Sequence, residues 1–377
     1  MKLPVYLDYN ATTPVDPAVL GAMLPYLSDH FGNPHSAHAY GVTTAEAVAE
    51  ARAQVASLLG CLPDEVVFTS CASESNNMAI KGAAFALRER GRHIITTAVE
   101  HPAVLNTCRY LEREFGFTVT TIPVDHTGRI DPEDVRQAIR PDTTLISVMQ
   151  AQNETGVLQP VAEVGHIARE HGILFHIDAA QAVGKIPVRV DDLGCDLLTV
   201  AGHKLYAPKG VGALYVRSGV TLHPLLHGAG YEGGRRAGTD NVPYAVALGK
   251  ACALAREHLA SGEAAWLASL RDRLHGLLAE RLPVRLNGHE TERLPNTLNV
   301  SIVGQVGNDL LAAVPDIAAS TGSACHAGVS KPSEVLLAMG IAPEVALGAL
   351  RLSVGRFTTP EEIEWAAARI VAAVRGQ

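Results

Sequence analysis

The chain has 377 residues, 47% hydrophobic and 19% charged, and its 39 acidic against 31 basic residues leave a formal net charge of −8. At about 150 residues per domain, that length predicts two or three domains. The absence of a basic run or of interleaved aromatics excludes a nucleic-acid binder, and no stretch of about 18 apolar residues predicts a membrane span.

The start, Met1 to Asp8, lacks the apolar core of a signal peptide, so the expected location is the cytoplasm. From about residue 45 to 255, strands and helices alternate. Val66–Ser70 reads as a strand, followed by a helix through Ile80; His93–Thr97 is the next strand, followed by a helix through Leu111. Val119–Val124 and Thr144–Met149 read as strands, and Val161–His171 as a helix with Gly172 at its C-terminal cap. Three further strands follow: one ending at Asp178, one ending just before Lys204, and Gly212–Val216. This alternation predicts a mostly parallel α/β sheet. From about 256 the order changes to a long helical stretch and short strands near Val284, Leu298–Val300 and Leu350–Ser353. Thr359 and Pro360 open a last helix. The expected organisation is a large domain over 15–255 and a smaller α+β domain formed by 1–14 and 256–377.

Two of these strand ends carry chemistry. Side chains at the carboxyl ends of neighbouring parallel strands converge on one crevice. Asp178 closes one apolar run and Lys204 follows another. A carboxylate and an amine on that rim suit pyridoxal 5'-phosphate: the lysine forms the Schiff base, and the aspartate keeps the pyridine nitrogen protonated. Thr69–Ser75 lies between a strand and a helix. It is either an ordinary capping box or a phosphate seat of open backbone N–H groups. His101 is either a helix-start residue with a local hydrogen bond or an imidazole placed to stack on the ring and move protons. Gln181 and Asn153 are either plain polar residues or cofactor contacts. Arg351 is either a structural ion pair or a bidentate clamp on a carboxylate.

The six cysteines, at 61, 71, 108, 195, 252 and 325, show no Cys-x-x-Cys and no zinc spacing, so free thiols and no metal are expected. Cys195 and Cys252 suit burial as small hydrophobes. Cys325 stands among Ser320-Thr321-Gly322-Ser323-Ala324 and His326-Ala327-Gly328, a small-residue setting that predicts an accessible nucleophile.

Nearly end to end, the chain resembles the cysteine desulfurases, a branch of the aminotransferase-like pyridoxal phosphate enzymes of fold type I. The resemblance rests on Tyr6–Pro14, Gly32–Ser36, Phe68–Asn77, Val99–His101, Gln152–Gly156, His176–Gln181, Gly202–Lys204, Arg236–Thr239, the Cys325 segment and Leu350–Arg356. It implies Lys204 as the Schiff-base lysine, Asp178 as partner of the pyridine nitrogen, Gln181 as partner of the ring hydroxyl and His101 as the stacking residue. It implies Ser73 and His203 as phosphate ligands with backbone help from Ala72, and Asn153 beside cofactor and substrate. Thr239 would reach the phosphate of the other subunit, so a homodimer is implied. Arg351 would clamp the carboxylate of L-cysteine, and Cys325 would take its sulfur as a persulfide for an iron–sulfur scaffold or a thiolation carrier. Ala201 departs from the many members that carry a serine there. Arg293–Thr297 and Ala324–His326 look somewhat like selenocysteine lyase on the same scaffold, which is the alternative reading. An aminotransferase and a non-catalytic sulfur carrier rank below both.

Overall fold

The computed structural model describes residues 4–322 and 331–376. In chain order the strands are β1 (Val5–Tyr6), β2 (Val66–Thr69), β3 (His93–Thr97), β4 (Thr118–Ile122), β5 (Thr143–Met149), β6 (Leu174–Asp178), β7 (Leu197–Ala201), β8 (Gly212–Val216), β9 (Val284–Leu286), β10 (Thr297–Ile302), β11 (Ile317–Ala318) and β12 (Ala349–Ser353). Seven of them form one sheet in the order β2-β8-β7-β6-β5-β3-β4. Strands β4, β3, β5, β6 and β7 run parallel, and β8 is antiparallel to both β7 and β2.

The sheet is sandwiched between helices, so its strands are apolar on both faces. Side chains alternate across a strand, and adjacent residues sort into separate cores. Ile95, Ile146 and Leu198 join Phe175 and Ile177 in one cluster. Their neighbours Ile94, Leu145 and Leu197 join Met78, Ile80, Val104 and Leu111 in the other. Each such burial contributes roughly 1.5–3 kcal/mol. A one-residue register slip would exchange the two sets.

A second sheet, in the order β12-β10-β9, is antiparallel. Leu298, Val300, Leu350 and Leu352 share its core with Leu267 and Leu274 of the helix Glu263–Ala279 and with Ile363 and Ile370 of the helix Pro360–Arg375. The chain start joins this part: β1 pairs with β11, and Asp8 bridges Ser353. Thr359 caps the last helix, as expected, and Glu362 caps back reciprocally. The single helical stretch expected after 256 is instead two helices, Val242–Ala260 and Glu263–Ala279, broken where Gly262 turns left-handed at φ 88°. No helix among the described residues is long and apolar enough to cross a membrane.

Candidate active site

Strand order reverses between β3 and β5, because β4 lies on one side of β3 and β5 on the other. In parallel sheets the crevice at such a switch, beyond the carboxyl ends, is where ligands bind. A cavity of about 360 Å³ lies there. Its walls hold His101 after β3, Met149 and Asn153 at and after β5, Asp178 and Gln181 at and after β6, and Ala201, His203 and Lys204 at and after β7. Ala72 and Ser73, from the start of the helix Ala72–Leu87, and Arg351 from β12 close it. Depressions of about 450 and 620 Å³ elsewhere lack any lysine.

Lys204 ends a tight turn, Gly202–Lys204, directly after β7. Its Nζ donates to the main-chain carbonyls of Asn10 and, at 3.1 Å, of Ala11. Burial first, and then the Arg351 charge, push this amine down to about 8, against the pull of Asp8 and Asp178. A neutral, nucleophilic fraction is therefore present near physiological pH. Asp178 is 4% exposed. One of its oxygens accepts from Asn76 Nδ2 at 2.7 Å and the other from the Ala180 N–H at 3.0 Å. These bonds aim the carboxylate from β6 without a competing cation.

The helix Ala72–Leu87 begins at Cys71 with no side-chain cap. The capping-box alternative therefore fails: Thr69 Oγ1 bonds Ser75 Oγ at 2.7 Å, and the Glu74 carboxylate accepts from the Ser70 N–H at 2.7 Å. The first N–H groups of a 16-residue helix are left to the cavity, where an anion is favoured. His203 stands beside this corner, with Nδ1 3.2 Å from Thr12 Oγ1. Burial and the surrounding lysines bring its imidazole down to about 4, so it is neutral and can give one hydrogen bond.

His101 makes the helix-start hydrogen bond and also lines the cavity. Nδ1 accepts from the Ala103 N–H at 3.1 Å, capping the helix Pro102–Phe115. That bond places the remaining ring proton on Nε2 of the neutral form. The ring is open to the cavity, yet desolvation by the walls holds its pKa below the ordinary value, with Asp178 opposing and Lys204 assisting.

Arg351 is both an ion pair and a cavity residue. One NH₂ donates to Asp8 Oδ1 at 2.8 Å and the other to the Asn153 carbonyl at 3.1 Å. Its Nε is buried and has no hydrogen-bond partner among the described residues. Asn153 sits in a turn and contributes that carbonyl, so its main chain rather than its amide makes the link.

The structure thus brings Ala72, Ser73, His101, Asn153, Asp178, Gln181, His203, Lys204 and Arg351 to one cavity. Thr239 does not line it and lies exposed on a loop. Cys325 lies outside the described residues; Cys195 and Cys252 are buried, as expected. Three contributors were missed. Asn76 buttresses Asp178. Asn10 offers the carbonyl that Lys204 and Gln181 share. Glu100, fully buried, accepts from Thr97 Oγ1 and the Met149 N–H, each at 2.8 Å, and so ties the end of β3 to β5. A carboxylate next to a rim histidine was the available signal for Glu100; Asn10 and Asn76 carried none.

Pyridoxal phosphate fits this donor set. An uncapped helix start and a neutral histidine suit its phosphate, a buried carboxylate its ring nitrogen, and a buried amine its aldehyde.

The aminotransferase class-V family model matches residues 5–365. The chain is 46% identical over 368 residues to a probable mitochondrial cysteine desulfurase of Dictyostelium discoideum, covering 97% of this chain and 81% of that one. It is 48% identical over 370 residues to cysteine desulfurase IscS of Anaeromyxobacter dehalogenans (strain 2CP-C), covering 97% and 91%. Among solved structures, a NifS-like protein superposes with a TM-score of 0.93 at 38% identity over the whole of both chains. SspA in complex with cysteine superposes with a TM-score of 0.84 at 40% identity, over 94% of this chain and 100% of that one. The chain belongs to the aminotransferase class-V family.

Proposed function

We propose that this protein is a pyridoxal-phosphate-dependent cysteine desulfurase, converting L-cysteine to L-alanine and passing the sulfur to Cys325. The observation that carries the reading is the half-buried Lys204 amine in one cavity with Asp178 and Arg351. Its likeness to named cysteine desulfurases over nearly the whole chain supports it.

Ala72, Ser73 and His203 would hold the phosphate, Asp178 the ring nitrogen, and Gln181 and His101 the ring itself. When bound, the cofactor supplies a sink for the electron pair released at the substrate α-carbon. Arg351, in the cavity wall, holds the substrate carboxylate. Lys204, neutral in part near pH 8, takes the proton from the α-carbon. His101 carries its proton on Nε2, placed to hand it on within the cavity. Cys325 thiolate forms a bond to the substrate sulfur; the carbon–sulfur bond breaks, its electron pair stays on carbon, and that carbon takes a proton. The products balance as alanine and a Cys325 persulfide, which an acceptor protein, an iron–sulfur scaffold or a thiolation carrier, then relieves of its outer sulfur.

The same reading takes the protein as a cytoplasmic homodimer in which Thr239 serves the partner's phosphate. The exposed position of Thr239 supports this, as do the exposed apolar side chains of Leu20, Leu24, Leu27 and Phe31. It also keeps the division at 15–255 against 1–14 with 256–377, supported by the seven-stranded sheet lying within the first part and the three-stranded sheet within the second.

The deciding experiment is mass spectrometry after incubation with L-cysteine. One additional sulfur on Cys325, absent in Cys325→Ser while cofactor absorbance persists, is the expected result. Sulfide release by Cys325→Ser at the wild-type rate overturns the assignment. Turnover of selenocysteine with none of cysteine replaces the reading with selenocysteine lyase.

A further inference from the structure

Lysine is almost never fully buried without a carboxylate partner. Lys185 is 8% exposed, and neither of its hydrogen-bond partners is an acid. Its Nζ donates to Gln181 Oε1 at 2.6 Å and to Asn10 Oδ1 at 3.2 Å. We infer that Lys185 is a positioning residue of the active site, fixing the Gln181 and Asn10 side chains and through them the seat of the Lys204 amine. The inference rests on the reading of Gln181 and Lys204 as cofactor-side residues.

The orientation argument starts from a main-chain oxygen. The Asn10 carbonyl can only accept, and it accepts from both Gln181 Nε2, at 3.0 Å, and Lys204 Nζ. Gln181 must therefore turn its nitrogen to Asn10 and its oxygen to Lys185. Gln181 lines the cavity, yet it is itself buried, at 4% exposure. Without a donor at 185, its oxygen would be left buried and unpaired, and the amide would gain by rotating away. The Asn10 side chain is pinned in the same way. Oδ1 also accepts from Asn296 Nδ2 at 3.0 Å, and Nδ2 donates to Thr297 Oγ1 at 2.9 Å. Asn10 in turn presents the carbonyl on which Lys204 rests.

The electrostatics suit an uncharged amine. Burial, assisted by the Lys204 and Arg351 charges, holds Lys185 well below the ordinary lysine value. Lys185, Lys204, Glu263 and Arg356 all line one narrow gap of about 10 Å³. A neutral amine still gives both hydrogen bonds without adding a third cation beside Lys204 and Arg351.

The test uses holoenzyme loaded with pyridoxal phosphate and compares wild type, Lys185→Met, Gln181→Leu and the double variant. The readouts are the pH midpoint of the bound cofactor's absorbance, the cofactor dissociation constant and thermal stability. Lys185→Met is expected to move the midpoint and weaken cofactor binding about tenfold, the scale of one unpaired buried acceptor. In the Gln181→Leu background the same change should add less than about twofold. A midpoint and affinity within about twofold of wild type overturn the inference, as do equal effects in both backgrounds. Should Lys185→Met fail to fold, Lys185→Gln, with a donor on a shorter stem, is expected to shift both readouts partway, and no shift counts against the inference. Wild-type protein without pyridoxal absorbance overturns the functional reading instead, so the two failures are distinguishable.

Discussion

On one wall of the cavity, Asp178 and Lys204 follow neighbouring strands of the seven-stranded sheet; on the other, Arg351 arrives from the middle of β12 in the three-stranded sheet. The first wall is fixed by strand pairing and by cores on both sheet faces. The second meets it through polar links such as Arg351 to the Asn153 carbonyl and Asn299 to the Glu154 carbonyl, and through an apolar cluster in which Val99 and Met149 pack with Leu336 and Ala349. The first, continuous with one large sheet, is the rigid wall and suits groups that must be held for bond making; a guanidinium on the second suits gripping a ligand. Damage to the first should appear in the chemical step, and damage to the second in substrate binding.

Lys204→Ala gives the largest effect. It removes the proposed base of the rigid wall, and alanine formation from L-cysteine should fall ~10³-fold, the middle of the range for a lost acid–base group. A loss below tenfold would break the assignment of chemistry to this wall. Arg351→Met comes next. It deletes charge-assisted bonds to a carboxylate, so kcat/KM should fall about 100-fold, with most of the change in KM. A fall confined to kcat would show that the second wall also serves the chemical step.

The same contrast explains what could be read from the residues alone. Asp178 and Lys204 were legible because each follows an apolar run of strand length, and parallel pairing brings such ends together. His101, which follows the parallel strand β3, was legible for the same reason; the Ser73 corner follows the edge strand β2, whose partner β8 is antiparallel. Arg351 stayed open between clamp and ion pair, because its neighbours Asp8 and Asn153 lie 343 and 198 positions away. The structure shows the ion pair with Asp8 and a place in the cavity wall. Asn10, 171 positions from Gln181, was invisible on the same ground. The family resemblance supplied roles for these residues, but no buttress: Asn76 gave no local signal, although it lies one turn inside the helix that opens at Ala72.

Asn76→Leu probes that buttress. It removes a 2.7 Å donor from Asp178 while leaving both wall residues in place. A roughly tenfold loss of kcat is expected, the scale of one hydrogen bond to a charged group, together with a shifted absorbance of the bound cofactor. Unchanged absorbance with unchanged kcat would mean that β6 alone aims the carboxylate.

The smallest effect concerns stability rather than turnover. Glu100 is buried at the end of the rigid wall, and burial pushes its carboxyl from 4.5 up to about 8, against the two hydrogen bonds from Thr97 and Met149. Its second oxygen has no hydrogen-bond partner among the described residues. Between those two values the folded chain keeps a proton that the unfolded chain has released. By linkage, the Glu100 contribution to stability is full below about 4.5, declines as pH rises, and levels off above about 8. Glu100→Gln keeps an oxygen for both donors and has no proton to lose. Its melting temperature relative to wild type should therefore rise by a few degrees between pH 5 and pH 8, the other titrating groups cancelling in the difference. A difference that stays flat, or falls, across that interval would show that Glu100 is ionised in the fold, and that the end of β3 is held to β5 by charge rather than by a neutral acid.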